Sequence, residues 1–457
     1  MMRRFVHYVF PLILAGMAVC AVVLPANEIS AQERLTASPE DTLRLSLDKA
    51  IELALIHNED IHIAASSLEK ARGRKREAYS AALPHVNFYA GYTRNILRPV
   101  LFFSDPESGE TVQIKIGEEN DYTFNVSMSQ VLYAFGRVGG AIKAADYYLD
   151  SAEQTVEATR RETILAVQEA YYGAVLAGEV LEISHLSLEQ ARKQFEETRI
   201  KVRQQVASRF DSIRAEVQLK NREPEVIQAE NAVRIALMNL KRLAGIERDV
   251  PVVLTDGLQY QAAEYDVETA IEEAFRTRPD ISALQLQVAM AEKIHQVMKR
   301  NNFPYLSLFG NYSLQGQQSD QLFPDRNRFA KSLGVGVSLT FPLFDGLANR
   351  GRVAQARADM SAAQYTLKKV KKAVALQVQE LYDRLRAEDE NLESQAATVA
   401  MAEEAYRLAL VRFQNGLSTS LELEDSELAL TGARLNYLEA MYRYIITKER
   451  LENAMGQ

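Results

Sequence analysis

Two stretches of this chain, Arg137 to Gln205 and Leu347 to Gln414, run without a proline. At a rise of 1.5 Å per residue each can make roughly 100 Å of unbroken helix. In the second, Val353, Ala356, Met360, Ala363, Leu367, Val370 and Val374 alternate spacings of three and four, and Val378, Leu381 and Leu385 continue the stripe. That is the apolar seam of a packed amphipathic helix. No single globular core is so long, so such helices must run side by side as a coiled-coil-like layer. Gly173 and Gly178 weaken the first run locally without ending it.

The chain is also written twice. "LSLDKAIELALIHNEDI" from Leu45 matches "YDVETAIEEAFRTRPDI" from Tyr265, and Pro84 and Pro304 keep the same offset. Gly136 in "YAFGR" matches Gly346 in "LFDGL", "QEAYY" recurs as "QELYD", and "SRFDSIRAEVQL" from Ser208 recurs as "TSLELEDSELAL" from Thr419. The offset falls because the Pro84–Gly136 segment is ten residues longer than Pro304–Gly346, an excess expected in a surface loop. The expected division is a signal peptide at 1–31, an N-terminal tail at 32–44, a first repeat at 45–246, a linker at 247–264 and a second repeat at 265–457. Each repeat reads as helix, two strands, long helix, helix, with strands within 84–135 and 304–345.

The strands have period two. "YTFNVSMS" sets Tyr122, Phe124, Val126 and Met128 against Thr123, Asn125, Ser127 and Ser129, and "SLGVGVSLTF" sets Leu333, Val335, Val337, Leu339 and Phe341 against small polar residues. "HVNFYAGYT" and "YLSLFGNYSL" are noisier versions. The apolar face packs on a core in a soluble sandwich and meets lipid in a barrel. About ten residues suit a tilted span of the bilayer. Four strands are too few to close a membrane barrel, and an open sheet in lipid leaves edges unpaired at several kcal/mol per group. If these strands lie in a membrane, copies of the chain must pool them.

Arg3 and Arg4 followed by "VFPLILAGMAVCAVVL", with "ISA" ahead of Gln32, read as a signal peptide cleaved after Ala31. Cys20, the single cysteine, lies inside it and lacks the small preceding residue of a lipoprotein site. The mature chain is then free of cysteine, so burial and assembly must stabilise it. Net charge is −8 and stays acidic once the signal is removed, which argues against nucleic acid as partner. Past the signal no run of 18 apolar residues is found, so no transmembrane helix is expected.

With these elements in order, the chain resembles the TolC-type outer-membrane efflux family, the outer-membrane factors. The resemblance rests on the paired "AI..A" openings at Ala50 and Ala270, Pro84 and Pro304 before the strands, "FPLFDGLANRGRVAQA" after them, and the turn "RFQNGLSTSLELEDSELAL". It implies an α+β membrane protein: a duplicated helix–strand–strand–long helix–helix unit whose four strands join those of two more copies in a trimeric 12-stranded β-barrel. A long periplasmic α-helical barrel would continue it. It further implies a passive exit duct of a tripartite efflux or type I secretion system. Its partners would be the homotrimer itself, a periplasmic adaptor (membrane-fusion) protein, an inner-membrane pump of ABC or resistance-nodulation-division type, and outer-membrane lipid. No cofactor is implied. The other reading of the same features is a periplasmic coiled-coil tether, which has no need of two-faced strands.

Within "NGLSTSLELEDSEL" the resemblance assigns Glu422 and Asp425, one helical turn apart, to acidic rings at the periplasmic mouth, a geometry that favours cations. A plainer reading stands beside it. Thr419 and Glu422 form a T-x-x-E capping box, matched by Ser208 and Asp211 in the first copy, and Asp425 could be a solvated face. Glu424 and Glu427 lie on another side of the helix and are expected to be solvated. The family closes its mouth with links among an aspartate, a tyrosine and an arginine; here these positions are Asp211, Phe413 and Ser418, so only the first matches. Arg209, Arg203 or Arg412 could substitute. The adaptor would meet the tip turns, at Gln205, Val206, Ser208, Gly416, Leu417 and Thr419.

The sequence offers no catalytic constellation: no nucleophile elbow, phosphate loop or CxxC, and His57 and His62 miss the i, i+4 spacing of helix metal ligands. Tyr89, Tyr92, Tyr122 and Tyr312 are candidates for an aromatic belt at the membrane boundary.

Overall fold

The computed structural model describes residues 43–104, 111–319 and 329–457; the expected signal peptide lies outside them. Residues 44–248 and 252–457 form one compact unit. In the other, Leu43 and Pro251 share a backbone hydrogen bond of 2.9 Å.

In chain order the elements are β1 (Leu43–Leu45), α1 (Leu47–His57), α2 (Glu59–Ser80), β2 (His85–Arg94), β3 (Val100–Ser104), β4 (Thr111–Lys115), β5 (Asn120–Tyr133), α3 (Arg137–Arg203) and α4 (Arg209–Ala244). They continue with β6 (Val252–Leu254), α5 (Val267–Thr277), α6 (Pro279–Lys299), β7 (Tyr305–Gln318), β8 (Phe329–Thr340), α7 (Ala348–Gln414) and α8 (Ser420–Met455). The linker thus holds β6, which pairs with β1.

The opening helix of each repeat is broken in two. Asn58 and Arg278 both take extended backbone, with ψ of 132° and 122°. Pro279 bars its predecessor from the helical region, and Asn58 instead caps α2, its Oδ1 accepting the Asp60 N–H at 2.9 Å. The extra residues of the first repeat, expected as a loop, include an antiparallel hairpin, β3 with β4.

The main sheet has the order β2-β5-β7-β8, antiparallel throughout. Its register carries the two-faced pattern across all four strands. Phe88, Val126, Tyr312 and Leu333 form one cross-strand row, and Tyr89, Asn125, Ser313 and Ser332 the next. The first belongs to the apolar face, the second to the small polar one. Tyr89 therefore lies on the polar side and leaves the proposed lipid-facing set. The apolar face is bare over much of its area: Phe88, Leu333, Val335 and Leu339 are between 64% and 74% exposed, while Tyr122, beside Tyr92, is buried. On the polar face a Cβ at Gly336 would come within 2.6 Å of the Phe309 ring, so glycine is what lets that ring lie across β8.

α3 and α7 are each 67 residues long, and the expected seam of α7 is its packed side: Ala356, Val374, Val378 and Leu385 are buried and none of its other members is exposed. α7 packs with α8, α5 and α6 around Ile281, Val378, Leu385, Tyr444, Leu451 and Met455. Contrary to the expectation above, α3 contains one window apolar enough to cross a membrane. Length and composition alone meet that test, and 28% of the window is buried. Val167, Ala170, Tyr171, Ala174 and Val175 are buried, and Tyr171 donates its hydroxyl to the Leu45 carbonyl at 3.0 Å.

Candidate functional site: the two hairpin tips

Each long helix turns back on a shorter one. α3 gives way to α4 through 204–208, and α7 to α8 through 415–419. The two turns are built alike. Gln205 (φ 60°) and Gly416 (φ 73°) take the left-handed conformation. Val206 and Leu417 donate their N–H groups to Lys201 and Arg412 at 2.9 and 2.8 Å, while Gln205 and Gly416 donate to Val202 and Phe413 at 3.0 and 3.1 Å. This double bond is the Schellman ending, which satisfies carbonyls that the helix leaves open. Ser208 and Thr419 then cap the returning helices.

The caps differ. Ser208 Oγ accepts the Asp211 N–H at 3.2 Å, and Asp211 Oδ2 accepts the Ser208 N–H at 3.0 Å and its hydroxyl at 2.6 Å. The Ser208 hydroxyl, then its backbone N–H, hold the Asp211 carboxyl below the usual carboxylate range. Thr419 Oγ1 accepts the Glu422 N–H at 3.3 Å, the backbone half of a box. The carboxylates of Glu422 and Asp425 are exposed and make no hydrogen bond or ion pair among the described residues. The cap therefore explains why α8 starts at Thr419, and leaves both carboxylates open to solvent.

The links between the two hairpins are not those the resemblance implied. Asp211 is occupied by its own cap, and the buried Oγ of Ser418 has no partner among the described residues. Phe413 lies under Lys201, whose Nζ is 4.5 Å from the ring centroid. Among the described residues, Arg412 reaches only the Leu417 carbonyl of its own turn, at 3.5 Å, and neither Arg203 nor Arg209 enters an ion pair. The joining ion pair is Arg214 Nη2 to Glu424 Oε2 at 2.7 Å, with side chains only 29% and 17% exposed. Glu424 is thus paired rather than solvated. Glu427 is also enclosed: burial pushes its carboxyl up from the ordinary 4.5, nearby Glu424 adds to the rise, and Arg222 opposes it. These two acids, one turn apart, lie on the side of α8 that Arg214 and Arg222 of α4 reach, which is why the expectation for them fails. Comparison of the repeats contains one hint, since Arg214 stands where the second copy has Asp425. Val206 and Leu417 project from the turns, 73% and 70% exposed, beside Gln205 and Gly416.

A four-stranded sheet with an uncovered apolar face, continued by helical hairpins with 67-residue arms, defines a membrane channel of the barrel-and-tunnel class. The family model described as "Outer membrane efflux protein" matches residues 50–246 and 270–457, and the chain belongs to that family. It is 26% identical to Protein CyaE of Bordetella pertussis, over 90% of this chain and 83% of that one. It is 23% identical to the alkaline protease secretion protein AprF of Pseudomonas aeruginosa, over 91% and 85%. Among solved structures, the Campylobacter jejuni CmeC outer membrane channel superposes with a TM-score of 0.75 at 18% identity, over 90% of this chain and 85% of that one. The protein is accordingly an outer-membrane channel whose helical part lies in the periplasm.

Proposed function

We propose that three copies of this chain close their sheets into one 12-stranded barrel and serve as the passive exit duct of a tripartite efflux or type I secretion system. The observation that carries this reading is the open sheet itself. β2 and β8 are its two edges, its apolar face is bare, and lipid offers no partner for edge N–H and C=O groups. Pairing β8 of one copy with β2 of the next satisfies them. A coiled-coil tether has no use for such a face. An adaptor meets the turns at Gln205, Val206, Ser208, Gly416, Leu417 and Thr419, and an inner-membrane pump of ABC or resistance-nodulation-division type supplies the energy. Cargo is small toxic molecules, polypeptides or both; the secretion of a protease by the relative AprF supports the polypeptide arm. Membrane fractionation with gel mobility before and after heating tests the assembly. The expected result is an outer-membrane species of trimer mass that collapses to monomer on boiling, and a soluble monomer would overturn it.

The free carboxylates of Glu422 and Asp425 support the ring at the periplasmic mouth, six per trimer. Replacing both with alanine is expected to lower cation selectivity and relieve block by divalent cations in planar bilayers. Unchanged selectivity and block would refute the ring.

A further inference from the structure

The helices reach the sheet through an apolar zone followed at once by a cationic one. Tyr133 and Phe135 have ring centroids 4.8 Å apart, and Phe135 meets Phe303 edge-on at 5.8 Å. Just after β8, Leu343 and Phe344 are 84% and 79% exposed. Aromatic and aliphatic groups left bare beside a membrane sheet are what the boundary between acyl chains and headgroups accommodates.

The cations come next. Lys299 closes α6, and the guanidinium of the following Arg300 lies against Gly136, the neighbour of Phe135. Arg350 is in the first turn of α7, and Arg357 follows a heptad later, so the two share a side of the helix. α6 packs along α7, and His295 of α6, held below its usual value first by burial and then by Lys299 and Arg357, lies near cations of both helices. All four are exposed, and none is in an ion pair among the described residues. Other helical cations of the chain are paired with acids a turn away, as in Lys193–Glu189 and Arg443–Glu439. Arg350 also sits where the helix dipole opposes a cation, in a first turn with no acid. Of the nearby carboxylates, Asp345 is engaged by the Asn349 N–H at 2.7 Å, and Asp359 is exposed, with no ion pair among the described residues. By helical rise, Lys299 and Arg350 stand within about 3 Å of the helix ends and Arg357 within about 14 Å. A headgroup layer of roughly 5–8 Å covers the first two, and the length of an arginine side chain brings the third near it.

The geometry points to a cationic collar, formed by Lys299, Arg300, Arg350 and Arg357, that binds the phosphate headgroups of anionic phospholipid at the periplasmic face of the outer membrane. It rests on the outer-membrane placement of the chain and not on its cargo or pump. The test is the lipid retained by the purified protein after reconstitution with phosphatidylethanolamine and a minority of phosphatidylglycerol. One cation at an anionic surface is worth about fivefold in partition, so wild type should enrich phosphatidylglycerol by at least that factor, less so at high salt. K299Q/R300Q/R350Q/R357Q should lose the enrichment. A charge-matched control, Lys368, Lys369, Lys371 and Lys372 to Gln, removes four cations roughly 30 Å or more along α7 and should keep it. No enrichment in wild type, or equal loss in both variants, overturns the collar. Should the first variant fail to reach the outer membrane, R350Q alone replaces it, with a partial loss expected and an unchanged ratio counting against the collar. Wild type missing from the outer-membrane fraction would instead refute the placement.

Discussion

At the scale of single residues, the tips use charge in two ways. Glu422 and Asp425 face solvent, whereas Glu424 and Glu427 turn toward α4. The Arg214–Glu424 pair is half-shielded from water and joins hairpins that are 210 residues apart in sequence. A charge-assisted bond there should couple the two side chains by about 1–3 kcal/mol. Arg214→Ala and Glu424→Ala should each raise the resting conductance in planar bilayers, and the double variant should add little to either. Strictly additive effects would show that the pair does not hold the tips together. Glu427 has the opposite energetic sign. Its folded-state carboxyl binds a proton more tightly than in the unfolded chain, so its charge costs stability at neutral pH. That cost fades as pH falls through the raised value toward the ordinary 4.5. Glu427→Gln should therefore raise the unfolding temperature at neutral pH, with the gap to wild type closing on acidification. A gap that is constant with pH would refute the assignment.

At the scale of elements, the duplicated turn shows one geometry met by two residue types. Gly416 takes its left-handed conformation freely, while Gln205 takes it at a cost. Gln205→Gly should thus stabilise the first tip by up to about 1 kcal/mol, and Gly416→Gln should weaken the second by a similar amount. Hydrogen exchange at the amides of Val206 and Leu417, which close the turns, is the measurement. Much at this scale was legible in sequence. The α7 seam, the capped starts of α4 and α8 and the faces of the strands all follow from local periodicity. The break at Arg278 is also legible, since Pro279 forces it. The hairpin of β3 and β4 was not legible, because its noisy pattern resembles that of a loop.

For the whole molecule, the sheet decides the environment. Its apolar side is bare only because no helix packs on it, and lipid is the solvent that makes such a face stable. Arginine placed there should be costly by about 2–4 kcal/mol at mid-membrane. Val335→Arg, in the middle of β8, is expected to reduce or abolish the heat-modifiable outer-membrane species. The neighbouring Gly334→Ser, on the polar face, should leave it intact. Equal loss from both would refute a lipid-facing side of the sheet at these positions.

The sequence by itself determined the repeat, the length and seam of the long helices and the alternation of the strands. These are properties of spacing along one chain, and backbone hydrogen bonding converts spacing directly into faces. Only the tertiary structure decided which acids of "SLELEDSEL" are free and which are held. Glu422 and Glu424 are two residues apart, yet one faces solvent and the other meets Arg214 from the first repeat. Local periodicity separates those two sides of α8. Arg214 of α4, which reaches one of them from 210 residues away, gives them different chemistry.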